Sequence, residues 1–333
     1  MVPSVFCTIG GVTAATARSV AAVVLAAGEG KRLKTTRAKV LHEAGGRALL
    51  DHVLAALAPL APSPVVVVVG HLRRQVESHL AGREVVLAVQ DPPRGTGDAV
   101  AKAVAHLAPV GEVLVLSGDV PLVTTATLER LLEARRERNA AAAVLTAVLG
   151  DGGSYGRIVR NRQGGVAAIV EARDATPEQR AVHEVNAGLY AFDVAVLRAV
   201  LAEIAPDNDQ GEYYLTDAIR LLTEKGHEVV AHTLADAAEM TGVNTRAELS
   251  EVHRMLNTRV LASLQQAGVT VLDPASTWVE ADCRVGRDSV LEPGVHLRRG
   301  CLLGERCLVG AHAVLEGVTL PDDTVVPPLS RLF

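Results

Sequence analysis

Short apolar runs alternate with longer segments of helical periodicity through the first part of this chain. The apolar runs are rich in Val, Ala and Leu, and they have the length of buried strands. They lie at residues 21–26, 65–69, 85–89, 113–116 and 142–148. Between them, apolar side chains recur every three to four positions, which predicts helices at residues 46–60, 95–107 and 125–139. This alternation predicts a parallel, doubly wound α/β sheet that binds ligands at the carboxyl ends of its strands.

Further strands are expected around this core. We expect residues 65–69 and 85–89 to be central strands, because both are continuously apolar. Residues 155–170 read as a β-ribbon, and residues 186–192 as one more strand.

The pattern changes after residue 245. Residues 246–266 carry apolar side chains at helical spacing and end at Gly268, which predicts a linker helix. A six-residue period follows, set by the aliphatic residues Val279, Val285, Leu291, Leu297, Leu303, Val309 and Leu315. A mostly small residue precedes each by two positions, as in the hexapeptide repeat of a left-handed parallel β-helix. Three cysteines occupy these small positions, where packing explains them better than metal or redox chemistry.

The repeat loses its register near the end of the sequence. Pro321, Pro327 and Pro328 follow Leu315, and proline cannot donate a hydrogen bond to a neighbouring strand. We therefore expect two to three coils of about 18 residues, closed by a proline-rich cap.

Composition narrows the class of protein. With 333 residues, the chain has room for one large α/β domain and a smaller one. A formal net charge of −5 argues against a general nucleic-acid binder. Four cysteines do not suggest a disulfide framework, which favours a reducing cytoplasm, and no apolar run has the roughly 20 residues of a membrane span. Residues 1–19 lack the charged start of a signal peptide and are expected to be a disordered tail or to precede the native start.

The stretch Ala21 to His42 carries the first candidate chemistry. Its strand ends in a glycine-rich turn, Gly28-Glu29-Gly30, and five Lys or Arg residues follow within nine positions. Backbone amides and cations together can neutralise a polyphosphate, so the stretch is a candidate phosphate-binding site. An ordinary strand and turn followed by solvent-exposed basic residues explains these residues equally well. A Walker loop is absent from the sequence, and Leu33 stands where a dinucleotide fingerprint requires a third glycine.

A second candidate is Asp119, which follows the strand at residues 113–116. A carboxylate at this edge of the sheet can bind Mg²⁺, which prefers hard oxygen ligands and keeps several waters. The alternative, on these residues alone, is the N-cap of the following helix.

The motifs together resemble those of the sugar-nucleotide pyrophosphorylases. Leu25 to Leu33 matches the signature Leu-x-x-Gly-x-Gly-x-Arg-Met, and Lys39-Val40-Leu41-His42 is similar to the bacterial N-acetylglucosamine-1-phosphate uridyltransferases. Lys31, Leu33 and Ala38 depart from the usual Thr, Met and Pro. The similarity continues through Gly118-Asp119-Val120-Pro121-Leu122 and Gln210 to Asp217. It implies a Rossmann-like nucleotidyltransferase domain at residues 20–245, a linker helix at 246–267 and a short left-handed β-helix at 268–333.

The resemblance also implies roles for individual residues. Arg32 and Lys39 would stabilise phosphates as catalytic cations, and Asp119 and Asn244 would hold Mg²⁺. Gln90, Gly95 and Thr96 would hold the uracil, and Gly156, Glu171 and Asn186 the acetylated sugar. Further substrate contacts are expected from Leu25, Ala26, Ala27, Gly28, Ser117 and Gly118.

The implied reaction joins UTP and N-acetylglucosamine 1-phosphate to give UDP-N-acetylglucosamine and pyrophosphate. Bifunctional relatives also acetylate glucosamine 1-phosphate with later coils of a long β-helix, so we expect this chain to lack acetyltransferase activity. We expect self-association through the β-helix, with a homotrimer as the candidate assembly. Two alternatives stay open: a nucleotidyltransferase for another sugar or nucleotide, and a non-catalytic nucleotide-sugar binding or scaffold protein.

Overall fold

The computed structural model describes residues 19–333. The expectation for residues 1–19 therefore lies, apart from Ser19, outside the described residues. No helix among the described residues is both long enough and apolar enough to cross a membrane.

Residues 19–245 contain eleven strands in chain order, β1 to β11. Their bounds are Val20–Ala26, Glu43–Ala44, Arg47–Ala48, Val65–Val69, Val86–Val89, Glu112–Ser117, Ala142–Val148, Arg157–Arg160, Val166–Val170, Glu184–Asp193 and Val229–Thr233. β2 and β3 pair as a small hairpin, and the other nine strands form one sheet. The path of that sheet is β11-β7-β10-β6-β1-β4-β5, and the ribbon β8–β9 joins it through β10.

Within the described part of the chain, eight α-helices surround the sheet or follow it. Helices α1 to α8 span Leu49–Leu57, Arg73–Leu80, Thr96–Val104, Thr125–Glu137, Pro177–Arg180, Val194–Leu201, Thr216–Glu224 and Arg246–Gln266. Both faces of the sheet are covered, as β1 shows: Ala21 and Val23 belong to one apolar cluster, whereas Ala22 and Val24 belong to another. Because both faces are buried, the central strands read as continuous apolar runs.

Three details of the predicted sheet are wrong. β10 runs antiparallel to both β6 and β7, so the sheet is mixed and not fully parallel. β5 lies at the edge of the sheet, where the side chain of Val89 is 40% exposed, so an apolar sequence does not mark it as a central strand. The first helix begins at Leu49, because residues 43–48 form the β2–β3 hairpin.

Helix α8 spans Arg246–Gln266, as its periodicity predicts, and it contacts both halves of the chain. Val252 and Leu256 pack with Leu33 and Leu122 of the N-terminal region, whereas Leu261 belongs to the core of the C-terminal region. One helix therefore packs against the apolar clusters of both the N-terminal and the C-terminal region.

The C-terminal region is a parallel β-helix with eleven short strands, β12 to β22. Their bounds are Thr270–Val271, Trp278–Val279, Arg284–Val285, Val290–Leu291, His296–Arg298, Leu302–Leu303, Leu308–Val309, Val314–Glu316, Thr319–Leu320, Val325–Val326 and Arg331–Leu332. They form three parallel sheets of four, four and three strands. Six of the seven repeat aliphatics are buried and Val285 is half-buried, and the cysteines Cys283, Cys301 and Cys307 are free and buried beside them.

The predicted proline-rich cap is contradicted by the strand pairing. Leu303 pairs with Leu320, and Val309 pairs with Val326, so the coils continue through the proline-containing segment. The six-residue spacing of aliphatic residues is lost after Leu315, because this coil is one residue shorter than those before it. The coils therefore also exceed the two to three that the sequence suggested.

Candidate active site

A cleft of about 430 Å³ opens at the carboxyl ends of β1 and β6. Most of the site residues expected from the first hundred positions line it, together with Ser117 at the end of β6 and Asp119 in the turn that follows. The lining comprises Leu25, Ala27, Gly28, Glu29, Lys31, Lys39, Val40, Gln90, Pro93, Gly95, Thr96, Ala99, Ser117, Asp119 and Glu212.

The glycines shape the floor of this cleft. Gly118 donates its N–H to the carbonyl oxygen of Leu25 at 2.9 Å, and a Cβ at Gly118 would lie 3.1 Å from that oxygen. Only glycine therefore fits comfortably at this contact between β1 and the turn after β6. A Cβ at Gly28 would meet nothing within 4 Å, so its small size leaves room toward the cleft. Ala26 is buried in β1 and does not line the cleft.

Three polar side chains from distant parts of the sequence converge at one side of the cleft. The Lys39 ammonium forms an ion pair with the Asp119 carboxylate and donates a hydrogen bond of 2.6 Å to Asn244 Oδ1. The backbone supports this arrangement, because Val243 donates its N–H to the carbonyl oxygen of Asp119 at 3.0 Å. A carboxylate oxygen and an amide oxygen are thus directed at one cationic centre.

The same two oxygens fit the donor set that Mg²⁺ prefers. Mg²⁺ binds through one or two protein oxygens and completes its shell with water and substrate phosphates. No group of three or more His, Cys, Asp or Glu residues placed to hold a metal occurs within residues 19–333. Asp119 and Asn244 are therefore suited to a cation that arrives with a phosphate ligand.

Gln90 is 4% exposed and holds the turn at the start of α3. Its Nε2 donates hydrogen bonds of 2.9 Å to Gly95 O and to Asp98 Oδ2. A Cβ on Gly95 would lie 2.5 Å from the carbonyl oxygen of Tyr213, so glycine is required at this position. The Thr96 hydroxyl oxygen accepts the Leu215 N–H at 3.0 Å, which ties this turn to the segment after α6.

Gly156, Glu171 and Asn186 form a second group beside the cleft. A Cβ at Gly156 would lie 3.6 Å from both carboxylate oxygens of Glu171, and Asn186 donates its N–H to Gly156 O at 2.8 Å. The Asn186 side chain is fixed by its own bonds, because Nδ2 donates to the Tyr190 hydroxyl at 2.7 Å and Oδ1 accepts the Gly188 N–H at 3.0 Å. A bulge in β10 between Asn186 and Tyr190 places this group beside the carboxyl end of β6.

The electrostatics of this second group follow from burial. Burial raises the pKa of Glu171, and Asp174 and Asp217 act in the same direction, whereas a hydrogen bond from the Thr216 hydroxyl lowers it. Burial also raises the pKa of Tyr155, with smaller contributions from Glu248 and Asp119. The charges of Glu248 and Asp119 thus act on Tyr155, the residue before Gly156.

Arg32 is placed differently from the other expected residues. It lies in a short 3₁₀ turn, Lys31–Leu33, with an exposed side chain, and it is not among the residues that line the cleft. In this turn Leu33 points into the core, whereas Lys31 lies at the rim of the cleft and pairs with Glu29. The catalytic role of Arg32 stays a prediction.

Three contributors were not singled out from the sequence. Glu212 lines the cleft, and Thr216 donates its hydroxyl hydrogen to Glu171 Oε1 at 3.1 Å. Glu248 accepts the backbone N–H of Asn244 at 2.7 Å. Glu248 could have been found from the sequence, because Thr245-Arg246-Ala247-Glu248 has the Thr-x-x-Glu spacing of a helix capping box.

Comparison of the sequence with known protein families gives a match over the region that contains the cleft. The family of the MobA-like NTP transferase domain matches residues 22–210, which includes the cleft-lining strands and most of the site residues. The chain belongs to this family. The hexapeptide repeat of succinyl-transferase matches residues 277–304 and 302–327 of the β-helix. Both the nucleotidyltransferase fold and the left-handed β-helix are thereby confirmed.

The chain is also similar to longer bacterial proteins. It is 48% identical over 316 residues to the bifunctional protein GlmU of Thermobifida fusca, across 93% of this chain and 65% of that protein. It is 45% identical over 315 residues to the bifunctional protein GlmU of Corynebacterium glutamicum, across 92% of this chain and 65% of that protein. The chain thus spans slightly less than two thirds of the length of these relatives.

A solved structure shows the same fold at low sequence identity. It is a Bacillus anthracis protein assigned as a glucose-1-phosphate thymidylyltransferase and determined in complex with a sucrose. The TM-score is 0.57 at 19% identity, and the match covers 71% of this chain and 95% of the other.

Proposed function

We propose that this protein transfers the uridylyl group of UTP to N-acetylglucosamine 1-phosphate, giving UDP-N-acetylglucosamine and pyrophosphate, in a Mg²⁺-dependent reaction. The observation that carries the proposal is the convergence of Lys39, Asp119 and Asn244 at one side of the cleft. The similarity to the GlmU proteins, named as bifunctional, supports it.

The geometry at Gln90 favours uracil or thymine over cytosine as the base. Both donor bonds of its Nε2 are used within the protein, on Gly95 and Asp98, so its Oε1 remains to accept a hydrogen bond from a ligand. Uracil presents an N–H at ring position 3, whereas cytosine presents an acceptor there. A fixed acceptor discriminates strongly between the two, because an unpaired acceptor facing another acceptor is costly.

The group at Gly156 is suited to the sugar. Glu171 supplies carboxylate oxygens that accept hydrogen bonds from hydroxyl groups, and Asn186 supplies a fixed amide. A Cβ at Gly156 would lie 3.0 Å from Ile169 Cγ2 and 3.6 Å from the Glu171 oxygens, so a larger residue would crowd this side of the group, and we expect the acetamido group to lie beside the glycine. A sugar that lacks the acetyl group loses part of these contacts, and we expect it to react at least about 10-fold more slowly.

The chemistry needs placement and charge neutralisation more than a catalytic base. A sugar 1-phosphate is already an anionic nucleophile, so the protein has to align it with the α-phosphorus and stabilise the charge on the departing pyrophosphate. Mg²⁺, held by Asp119 and Asn244, would supply electrophilic stabilisation of the phosphate oxygens. Lys39 would exchange its bonds to Asp119 and Asn244 for phosphate oxygens, and Arg32 would approach them from the rim.

Two further expectations remain proposals. We propose that the described coils transfer no acetyl group, because the repeat side chains, cysteines included, are directed into the core of the β-helix. An assay with glucosamine 1-phosphate and acetyl-CoA tests this, and turnover above background contradicts it. A cytoplasmic location is proposed on the three free, buried cysteines of the β-helix.

A panel of substrates tests the proposed function. The protein is incubated with Mg²⁺ and every pair formed from UTP, CTP, dTTP or GTP and the 1-phosphates of N-acetylglucosamine, glucosamine, glucose and galactose. We expect UDP-N-acetylglucosamine to form fastest. A preference for another pair supports a nucleotidyltransferase of different specificity, and tight UTP binding without any product supports a binding or scaffold protein; either result contradicts the proposal.

A further inference from the structure

Asn244 lies two residues before helix α8, and a side chain of that helix accepts its backbone N–H. Thr245 is the N-cap of α8, and its hydroxyl accepts the Glu248 N–H at 3.1 Å, while Glu248 Oε2 accepts the Thr245 N–H at 2.7 Å. These two bonds form a capping box. The same Glu248 oxygen also accepts the N–H of Asn244 at 2.7 Å, which a capping box does not require.

This additional bond fixes the residue that faces the cleft. Asn244 Oδ1 is within 2.6 Å of the Lys39 ammonium, so the direction of this oxygen depends on how the Asn244 backbone is held. The preceding residue, Val243, is buried and bonded to Asp119 O. Asn244 is therefore held from both sides, by the Asp119 turn before it and by Glu248 after it.

Glu248 also lies close enough to Tyr155 to influence its ionisation. Together with Asp119 it contributes to the raised pKa of Tyr155, after burial. On a helix, an acidic side chain at the third position is favourable in itself, because it interacts with the positive end of the helix dipole. A test therefore has to separate helix stabilisation from the positioning of Asn244.

We propose that Glu248 is a positioning residue that holds Asn244 in the orientation needed to bind a divalent cation together with Asp119. This inference rests on the proposed function for its metal site, and it concerns a residue that is not among those lining the cleft. Partners of metal ligands orient those ligands, and their loss commonly costs about 10-fold or more in metal affinity.

Thr245 offers a matched control on the same capping box. Thr245→Ala removes the hydroxyl that accepts the Glu248 N–H, but it leaves both backbone bonds to the Glu248 carboxylate in place. Glu248→Ala removes those two bonds. Glu248→Asp keeps the negative charge at the helix start, but its shorter side chain cannot reach back to Asn244.

The experiment measures Mn²⁺ binding by electron paramagnetic resonance on the full chain, with and without UTP, and records the thermal melting temperature of each variant. We expect both Glu248 variants to bind Mn²⁺ about 10-fold more weakly than the wild type. Thr245→Ala is expected to lower the melting temperature about as much as the Glu248 variants do. Its Mn²⁺ affinity, in contrast, should change less than about 2-fold.

Three outcomes overturn the proposal. Equal loss of Mn²⁺ affinity in Thr245→Ala and the Glu248 variants shows that only the helix cap matters. Wild-type affinity in Glu248→Asp shows that the bond to Asn244 is dispensable, and absence of Mn²⁺ binding to the wild type removes the site itself. Because binding is measured without turnover, failure of the substrate panel is recognised separately.

Discussion

At the scale of single residues, Glu171 has the most informative environment. Burial raises its pKa, so this carboxyl is protonated at a less acidic pH than an exposed glutamate. In the ionised form it accepts hydrogen bonds from sugar hydroxyls, and after protonation one of its oxygens becomes a donor. Binding of the sugar phosphate should therefore weaken as the pH falls through the raised pKa.

This argument predicts an acidic limb in the pH profile. We expect kcat/KM for the sugar phosphate to fall on the acidic side with a midpoint above the ordinary value for glutamate. Glu171→Gln should lower kcat/KM at neutral pH by about 10-fold, since one well-placed polar contact is lost. It should also remove the part of the acidic decrease in kcat/KM that comes from protonation of Glu171. Initial rates of both proteins from pH 5 to 8 check this. An identical limb in the variant assigns the titration to the substrate phosphate and contradicts the prediction.

Several residues that the sequence predicts for the site line the cleft, among them Lys39, Gln90 and Asp119, while their roles stay predictions. Asp119 could be proposed from its place after a predicted strand, whereas Gln90 and Asn244 were expected only because their segments resemble those of the pyrophosphorylases. Their contacts were not predictable in the same way. Lys39 and Asn244 are 205 positions apart, and only the folded sheet shows that the lysine bonds to Asn244 and pairs with Asp119. Thr216, which donates a hydrogen bond to Glu171, lies in the motif from Gln210 to Asp217, but that motif does not show the contact.

At the scale of elements, helix α8 connects the cleft to the β-helix. Its first turn holds Asn244, and its middle contains Asn257, which is 6% exposed. Asn257 Nδ2 donates to Thr277 O at 2.8 Å, and its Oδ1 accepts the Val279 N–H at 3.0 Å. One side chain therefore pairs two buried backbone groups of the first coil.

Loss of this side chain should destabilise the first coil. Asn257→Ala leaves a buried carbonyl and a buried N–H without partners, and we expect the free energy of unfolding to fall by about 3 kcal/mol. Urea unfolding followed by fluorescence measures this locally, because the single tryptophan, Trp278, lies on the adjacent strand β13. The control is Thr258→Ala, an exposed position on the same helix, where we expect a change within about 0.5 kcal/mol. Equal effects of the two substitutions would refute the role of Asn257.

Elements could be predicted where a long sequence period is unbroken. They could not be predicted where the position or direction of a strand depends on which strands pair in the folded sheet. The 21-residue helix α8 and the six-residue repeat up to Leu315 follow directly from their periods. The antiparallel direction of β10 and the edge position of β5 depend on which strands pair, which apolar composition does not encode. The coil after Leu315 was missed because a one-residue deletion shifts the repeat while the strands Val325–Val326 and Arg331–Leu332 still pair.

At the scale of the whole molecule, one face of the β-helix favours self-association. On the sheet β12-β15-β18-β21, Val290, Leu308 and Val325 are adjacent outward-facing residues, and Leu308 and Val325 are 37% and 66% exposed. A row of aliphatic side chains on a surface commonly marks an interface. We propose that copies of the chain associate through this face, with a homotrimer as the expected assembly.

Light scattering coupled to size-exclusion chromatography tests the assembly. The wild type is expected at three times the mass of the chain, and Val325→Asp at the mass of a single chain. Thr319→Asp places the same charge on a different face and should leave the assembly intact. A wild-type protein that is a monomer at micromolar concentration, or dissociation by both substitutions, contradicts an interface on this sheet.

The central claim is that Asp119 and Asn244 support metal-dependent transfer of a uridylyl group to a sugar phosphate. The most direct test quantifies UDP-N-acetylglucosamine and pyrophosphate formed from UTP and N-acetylglucosamine 1-phosphate, with Mg²⁺ and after its removal by EDTA. We expect the two products in equal amounts, no product with EDTA, full recovery when Mg²⁺ is restored, and at least a roughly 100-fold lower rate for Asp119→Ala. Undiminished product in EDTA, or pyrophosphate without the nucleotide sugar, would contradict the account.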